Sequence, residues 1–205
     1  FVPVPGVGAG VLTPEGNLAG YIDRILLPGK LHRVVYDPEG ILSTIPAIAT
    51  ALLGVFTGHF LRFESISLSK LQKGLTIGSV GVAVLILGFI WGIFFPINKN
   101  MWTSSFVLFA GGWSLVLLSV FYLIIDVWGF RKWSIPFVWI GTNSILIYMA
   151  SHGVINFEST SIFLFGGMLK NLPEVWQEVW IGSGILLIQL ALLWFLYKKK
   201  WFLKV

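Results

Sequence analysis

Long apolar stretches alternate with short polar breaks along this chain, and their lengths give the first inference. Five stretches stand out, at residues 41–61, 75–95, 102–125, 135–151 and 179–197. A helix rises about 1.5 Å per residue, so roughly 20 apolar residues cross a hydrocarbon core of about 30 Å. The second stretch carries no charge, and the first is interrupted mostly by Ser, Thr and Gly. The fourth is shorter and holds Asn143 in its middle. Backbone in lipid must satisfy its own hydrogen bonds, so these are helices; barrel strands would alternate in segments of about ten residues. The pattern predicts an all-α fold, a polytopic transmembrane helix bundle of about five spans over residues 41–205.

Residues 1–40 read differently. Five prolines and seven glycines break them into turns, around a short apolar piece at 21–27 that contains Asp23 and Arg24. An ordered extracytoplasmic loop segment with a small interfacial helix is expected here, because long loops with apolar content tend to be functional. No internal repeat stands out.

Composition narrows the class. Of 205 residues 56% are hydrophobic and 11% charged, and mean hydropathy is +0.86. Soluble domains carry about 25% charge, so a water-soluble enzyme is excluded. Ten Trp and seventeen Phe suit interfacial belts. With no Cys there is neither a disulfide framework nor a thiolate nucleophile or metal ligand. Net charge is +5, but the cations are spread over short loops, which argues against nucleic acid as a partner. The chain opens on Phe1-Val2-Pro3 without an initiator Met or a signal peptide, so it reads as the C-terminal part of something longer.

The loop charges give an orientation. Arg62, Lys70 and Lys73 follow the first span, Lys99 the second, Arg131 and Lys132 the third, Lys170 the fourth, and Lys198, Lys199, Lys200 and Lys204 the fifth. Cations gather on the cytoplasmic side, so the C-terminus is expected in the cytoplasm and residues 1–40 outside. Seven of nine acids then also lie outside, Glu158 among them. With no Cys and no glycosylation sequon in the outer segment, a bacterial inner membrane is the expected home.

Each polar cluster has two readings. Asp37-Pro38-Glu39 fits a helix start, with Asp37 as cap, Pro38 at the first position and Glu39 beside the positive end of the dipole. It also fits a carboxylate pair at the mouth of a site, able to hold a cation or orient a base. Asp23 and Arg24 form either a surface pair worth little or a clamp on a polar substrate. Asn98, Lys99 and Asn100 form a turn anchored by Trp102, or they line a pocket. Asn143 and Ser144 suit hydrogen bonding across helices, and His152 stands at the outer end of the same expected span. There is no GxxxxGK(S/T), HExxH or CxxC motif, and no metal site is expected. The run Gly6–Gly10 opens no clear helix and is not a phosphate loop.

Five strings now come together in order: AGYIDRILLPG (19–29), YDPEGILSTI (36–45), LLGVFTG (52–58), PINKNMWTSSFV (96–107) and NSILIY (143–148), with LYKKKWFLKV closing the chain. In these the sequence resembles the C-terminal half of the heparan-alpha-glucosaminide N-acetyltransferase family, in a bacterial form. The resemblance implies a transmembrane acyltransferase that moves acetyl from cytosolic acetyl-CoA, as co-substrate, to the amine of a glucosamine-type sugar on the far side. It implies that the catalytic His lies upstream, so that this piece alone is inactive, and that His152 is not that residue. Transfer from a thioester needs positioning, a base and a donor for the developing oxyanion. On that basis Asp37, Glu39, Asn98, Lys99 and His152 are supporting candidates. Asp23, Arg24, Asn100, Asn143 and Ser144 are expected to bind the acceptor, and Arg62, Lys70 and Lys73 the CoA phosphates. The expected partners are the lipid bilayer, an amino-sugar acceptor and a second copy in a homodimer. Two other classes compete: a transporter or channel subunit, which broken helices in matching positions would favour, and a non-catalytic scaffold.

Overall fold

A computed structural model describes residues 2–32, 34–63, 68–169 and 173–203. Lys170 and Lys204, both counted in the charge pattern, lie outside the described residues. Eight α-helices order the described chain, which divides into two compact units, Phe1–Gly129 and Phe130–Val205. The fold is an all-α polytopic bundle. Among the described residues four helices are individually long and apolar enough to cross a membrane, and a fifth crossing needs a bent pair.

The first unit holds α1 (Leu18–Leu26), α2 (Ile41–Arg62), α3 (Lys70–Phe94) and α4 (Ser104–Tyr122), the last continued by a π-helical turn at Leu123–Val127. Asn17 starts α1 by accepting the Gly20 N–H, and Leu27 ends it just before Pro28. Ser69 and Gln72 close a reciprocal capping box on α3. Thr103 caps α4 through the Phe106 N–H.

The most extensive pair is α3 with α4. It rests on small residues, as lipid-embedded helices require when no hydrophobic drive distinguishes protein from acyl chain. A Cβ at Gly88 would stand 2.7 Å from the Phe109 nitrogen, and one at Gly112 would stand 2.6 Å from the Leu85 nitrogen. Backbone therefore meets backbone at two levels. Ser119 Oγ donates to the Gly74 carbonyl at 2.7 Å, and Trp91 Nε1 donates to Ser104 Oγ at 2.9 Å. The outward faces of both helices are apolar and exposed, as a lipid-facing surface requires.

The second unit departs from the expected pattern. The stretch 135–151 is not one helix: α5 (Ile135–Thr142) and α6 (Ser144–Met149) meet at Asn143 with a bend of 68°. After α6 come a π-helical turn at Ala150–Val154, α7 (Phe157–Leu169) and α8 (Glu174–Lys198). Side-chain hydrogen bonds set the register against α8. Asn143 pairs with Trp201 and Leu203, Ser151 with Gln189, and Ser161 with Ile181. The Ser151 and Ser161 partners fall along α8 as the chain rises, so residues 151–161 run antiparallel to it. The bent pair over residues 132–154 is the candidate fifth span, and it overlaps the expected 135–151. Five polar residues, Asn156 and Glu158 to Ser161, keep the segment around α7 out of the apolar pattern.

Candidate functional site

Two polar regions emerge, one in each unit. In the first, residues 2–40 and the α3–α4 turn lie at the same end. Val4, Val11 and Leu18 share an apolar pocket with Phe95 and Met101, so the loop segment packs on that turn. Trp102 Nε1 donates to Thr50 Oγ1 at 3.2 Å and ties the turn to α2.

Several candidate residues here turn out to hold the scaffold. Asp23 is 1% exposed, and its Oδ1 accepts the Ile41 N–H at 3.0 Å. That N–H is one of the orphan donors at the start of α2. Asp37 does not cap α2, contrary to the sequence reading; Gly40 holds the cap position and offers no side chain. A carboxylate from α1 supplies the cap instead. The glycine admits it, because a Cβ at Gly40 would overlap the Asp23 carboxyl group. Oδ2 of Asp23 has no hydrogen-bond partner. Arg24 donates to the Val35 carbonyl at 2.6 Å and the Glu15 carbonyl at 2.9 Å, pinning both sides of the loop to α1.

Asp37 Oδ1 accepts the Glu39 N–H at 2.9 Å in an Asx turn, and Oδ2 accepts the His32 N–H at 3.4 Å. Asn98 Oδ1 accepts from the backbone of Asn100 at 2.9 Å and Met101 at 3.3 Å. Thr103 and Ser105 hydroxyls both donate to the Pro96 carbonyl. The PINKNMWTSS string is thus a hydrogen-bonded turn. Glu39, Lys99 and Asn100 project from it and from its neighbour as exposed side chains.

At the opposite end of this unit the three proposed phosphate ligands separate. Lys73 is buried, and its ammonium donates to the Leu61 carbonyl at 3.0 Å and the Phe63 carbonyl at 2.9 Å. It closes the C-terminus of α2, where orphan carbonyls favour a cation. Arg62 and Lys70 are exposed.

In the second unit Asn143, 1% exposed, bonds across to a distant part of the chain, the residues just beyond α8. Its Nδ2 donates to the Trp201 carbonyl at 3.0 Å, and its Oδ1 accepts the Leu203 N–H at 3.1 Å. It therefore clamps the chain after α8. There Lys200, with φ of 57°, makes a left-handed helix stop, and the Trp201 N–H bonds back to Leu196. Lys198 lies over the Trp194 ring at 4.5 Å. Ser144 is exposed at the start of α6. His152 stands near the end of the bent pair, where the backbone leaves helical geometry, its ring stacked on Tyr148 at 4.2 Å. Its Nδ1 lies 2.9 Å from the Tyr148 carbonyl oxygen.

Among the described residues no group of three or more His, Asp or Glu could hold a metal. No protein-family model matches the chain. Two curated relatives do. The heparan-alpha-glucosaminide N-acetyltransferase of Homo sapiens is 32% identical over an alignment of 235 residues that takes in the whole of this chain. This chain is a homologue of that enzyme. The Mus musculus protein of the same name is 31% identical over 239 residues, again across the whole chain. The chain spans about a third of these relatives' length, 34% and 35%.

Proposed function

We propose that this chain is part of a transmembrane N-acetyltransferase, which takes acetyl from acetyl-CoA on the cytoplasmic side and gives it to the amine of a glucosamine-type sugar on the other. Similarity to such enzymes along the whole chain is the observation that carries the reading. In this reading the bundle sits in a bacterial inner membrane with its Lys-rich C-terminal end in the cytoplasm and residues 1–40 outside.

In chemical terms a neutral amine attacks the thioester carbonyl. The carbon–nitrogen bond forms, the carbon–sulfur bond breaks, CoA leaves as thiolate, and a base removes the amine proton. The exposed Glu39, Lys99 and Asn100, with the half-buried Asp37 beside them, form the outer rim that admits the acceptor. Asp23, Arg24 and Asn98 support that rim through the hydrogen bonds already described. On the cytoplasmic side Arg62 and Lys70 are the exposed cations suited to the CoA phosphates, whereas Lys73 is engaged on the carbonyls that end α2.

Among the described residues, the bend at Asn143 and the break at residues 152–156 favour a transporter, since broken helices serve such proteins too. Acetyl-CoA decides between the two. The intact protein, purified in detergent and given labelled acetyl-CoA with glucosamine, is expected to form N-acetylglucosamine. No product from folded protein, with solute flux in vesicles, would replace the acetyltransferase reading with transport.

A further inference from the structure

The second unit contains a polar cavity that no sequence motif signalled. The backbone leaves helical geometry at His152 and Gly153, and α7 starts afresh after Asn156. Against α8 this opens a space of about 560 Å³. Its polar walls are Ser151, Asn156, Glu158 and Gln189, and Ile155 and Ile185 are among its apolar ones. The volume lies in the usual range for small-molecule sites, roughly 300–1,000 Å³.

Depth makes this cavity unusual. Gln189 lies about 22 Å along α8 from Glu174 and about 14 Å from Lys198, at 1.5 Å per residue. Ser151 is hydrogen-bonded to it at 3.1 Å. Glu158, placed outside by the charge pattern, therefore stands beside the middle of a spanning helix. An ionisable side chain at that depth is costly and points to a site by default.

The chemistry of the walls selects the ligand. Among the described lining residues Glu158 is the only charged one, so a polyphosphate donor is repelled and a cation is attracted. Gln189 Nε2 donates to Ser151 Oγ, which leaves Oε1 as an acceptor. Asn156 Oδ1 accepts the Ser159 N–H at 2.9 Å, which leaves its Nδ2 as a donor. A carboxylate with one carboxamide acceptor and one donor matches a small molecule bearing an ammonium and hydroxyls. We propose that this cavity holds the amino-sugar acceptor, with Glu158 on the ammonium and Asn156 and Gln189 on the hydroxyls. This rests on the acetyltransferase reading and names the residues that take the acceptor rather than the donor.

The test uses the intact protein in lipid nanodiscs without acetyl donor, with glucosamine as probe and glucose as the uncharged comparison. Glu158→Gln is expected to raise the Kd for glucosamine tenfold or more and to leave the Kd for acetyl-CoA within twofold. Gln189→Leu is expected to weaken glucosamine and glucose alike. If Glu158→Gln does not fold, Glu158→Asp and Gln189→Leu carry the test, with at least a threefold loss of glucosamine affinity expected in each. Glucosamine binding within twofold of wild type in both folded variants overturns the proposal. A wild type that makes acetylated product while Glu158→Gln keeps its KM for glucosamine defeats this assignment alone. A wild type that neither binds glucosamine nor makes product defeats the acetyltransferase reading with it.

Discussion

Asp23 separates a scaffold role from a substrate role, and the structure says how large the difference is. In Asp23→Ala the Ile41 N–H loses its acceptor, a cap loss worth about 1 kcal/mol within a range of roughly 0.5–2. Removing a carboxylate from the positive end of α2 costs roughly a further 0.3–1 kcal/mol. The expected loss is about 2 kcal/mol, close to a thirtyfold shift in the folded ratio, since about 1.4 kcal/mol is tenfold. Asp23→Asn keeps an oxygen for the N–H, so it should retain most of that stability. Gly40→Ala places a methyl on the carboxyl group and should expel it, at a cost similar to Asp23→Ala. Once Asp23 is Ala the clash is gone, so the double variant should be about as stable as Asp23→Ala alone. Such non-additivity is the signature of direct contact. Thermal unfolding in detergent, followed by Trp fluorescence, measures all four proteins. Additive losses, or an Asp23→Ala protein as stable as wild type, would refute the capping argument. Normal stability with a large rise in acceptor KM for Asp23→Asn would restore the substrate clamp.

Gly112→Leu should loosen the α3–α4 pair by about 1–3 kcal/mol through overpacking against Leu85, whereas Gly54→Ala, whose new Cβ meets nothing within 4 Å, should be neutral or gain up to about 1 kcal/mol; thermal unfolding compares them. Asn143→Ala strips two hydrogen bonds from the chain after α8 and should cost about 2 kcal/mol, with faster tryptic cleavage at Lys198–Lys200 as the readout. Lys73→Met leaves the Leu61 and Phe63 carbonyls without their cation and should lower stability by about 1–3 kcal/mol while the KM for acetyl-CoA stays within twofold. Arg62→Ala with Lys70→Ala should do the reverse, raising that KM without destabilising the fold.

The spans of the first unit were legible because nothing competes with hydropathy there. The predicted 41–61, 75–95 and 102–125 match α2, α3 and α4 with its π turn to within a few residues at most ends. The largest offset, at the start of α3, arises because Ser69 and Gln72 cap a turn too polar to count as apolar. The fourth span overlaps the bent pair at 132–154, but its 68° bend at Asn143 was not legible. Residues 135–142 are as apolar as a membrane helix, whereas the segment along α8 carries Asn156 and Glu158. Hydropathy rewards contact with lipid and cannot see a polar cavity. The role of Asp23 was hidden because its partner is 18 residues away and is a backbone amide. Asn143 was visible as a buried polar group, but its partners on the far side of α8, Trp201 and Leu203, were not. Family resemblance located the strings; only the fold sorted side chains that hold turns from those left exposed.

Sidedness tests the central claim most directly. The intact protein would be reconstituted into sealed vesicles with a known orientation, with labelled acetyl-CoA confined to the face bearing Arg62 and Lys70 and glucosamine to the other. Labelled N-acetylglucosamine in the glucosamine compartment, and none when acetyl-CoA is on the opposite face, is the predicted result. Product formed only when donor and acceptor share a compartment would contradict transfer across the membrane.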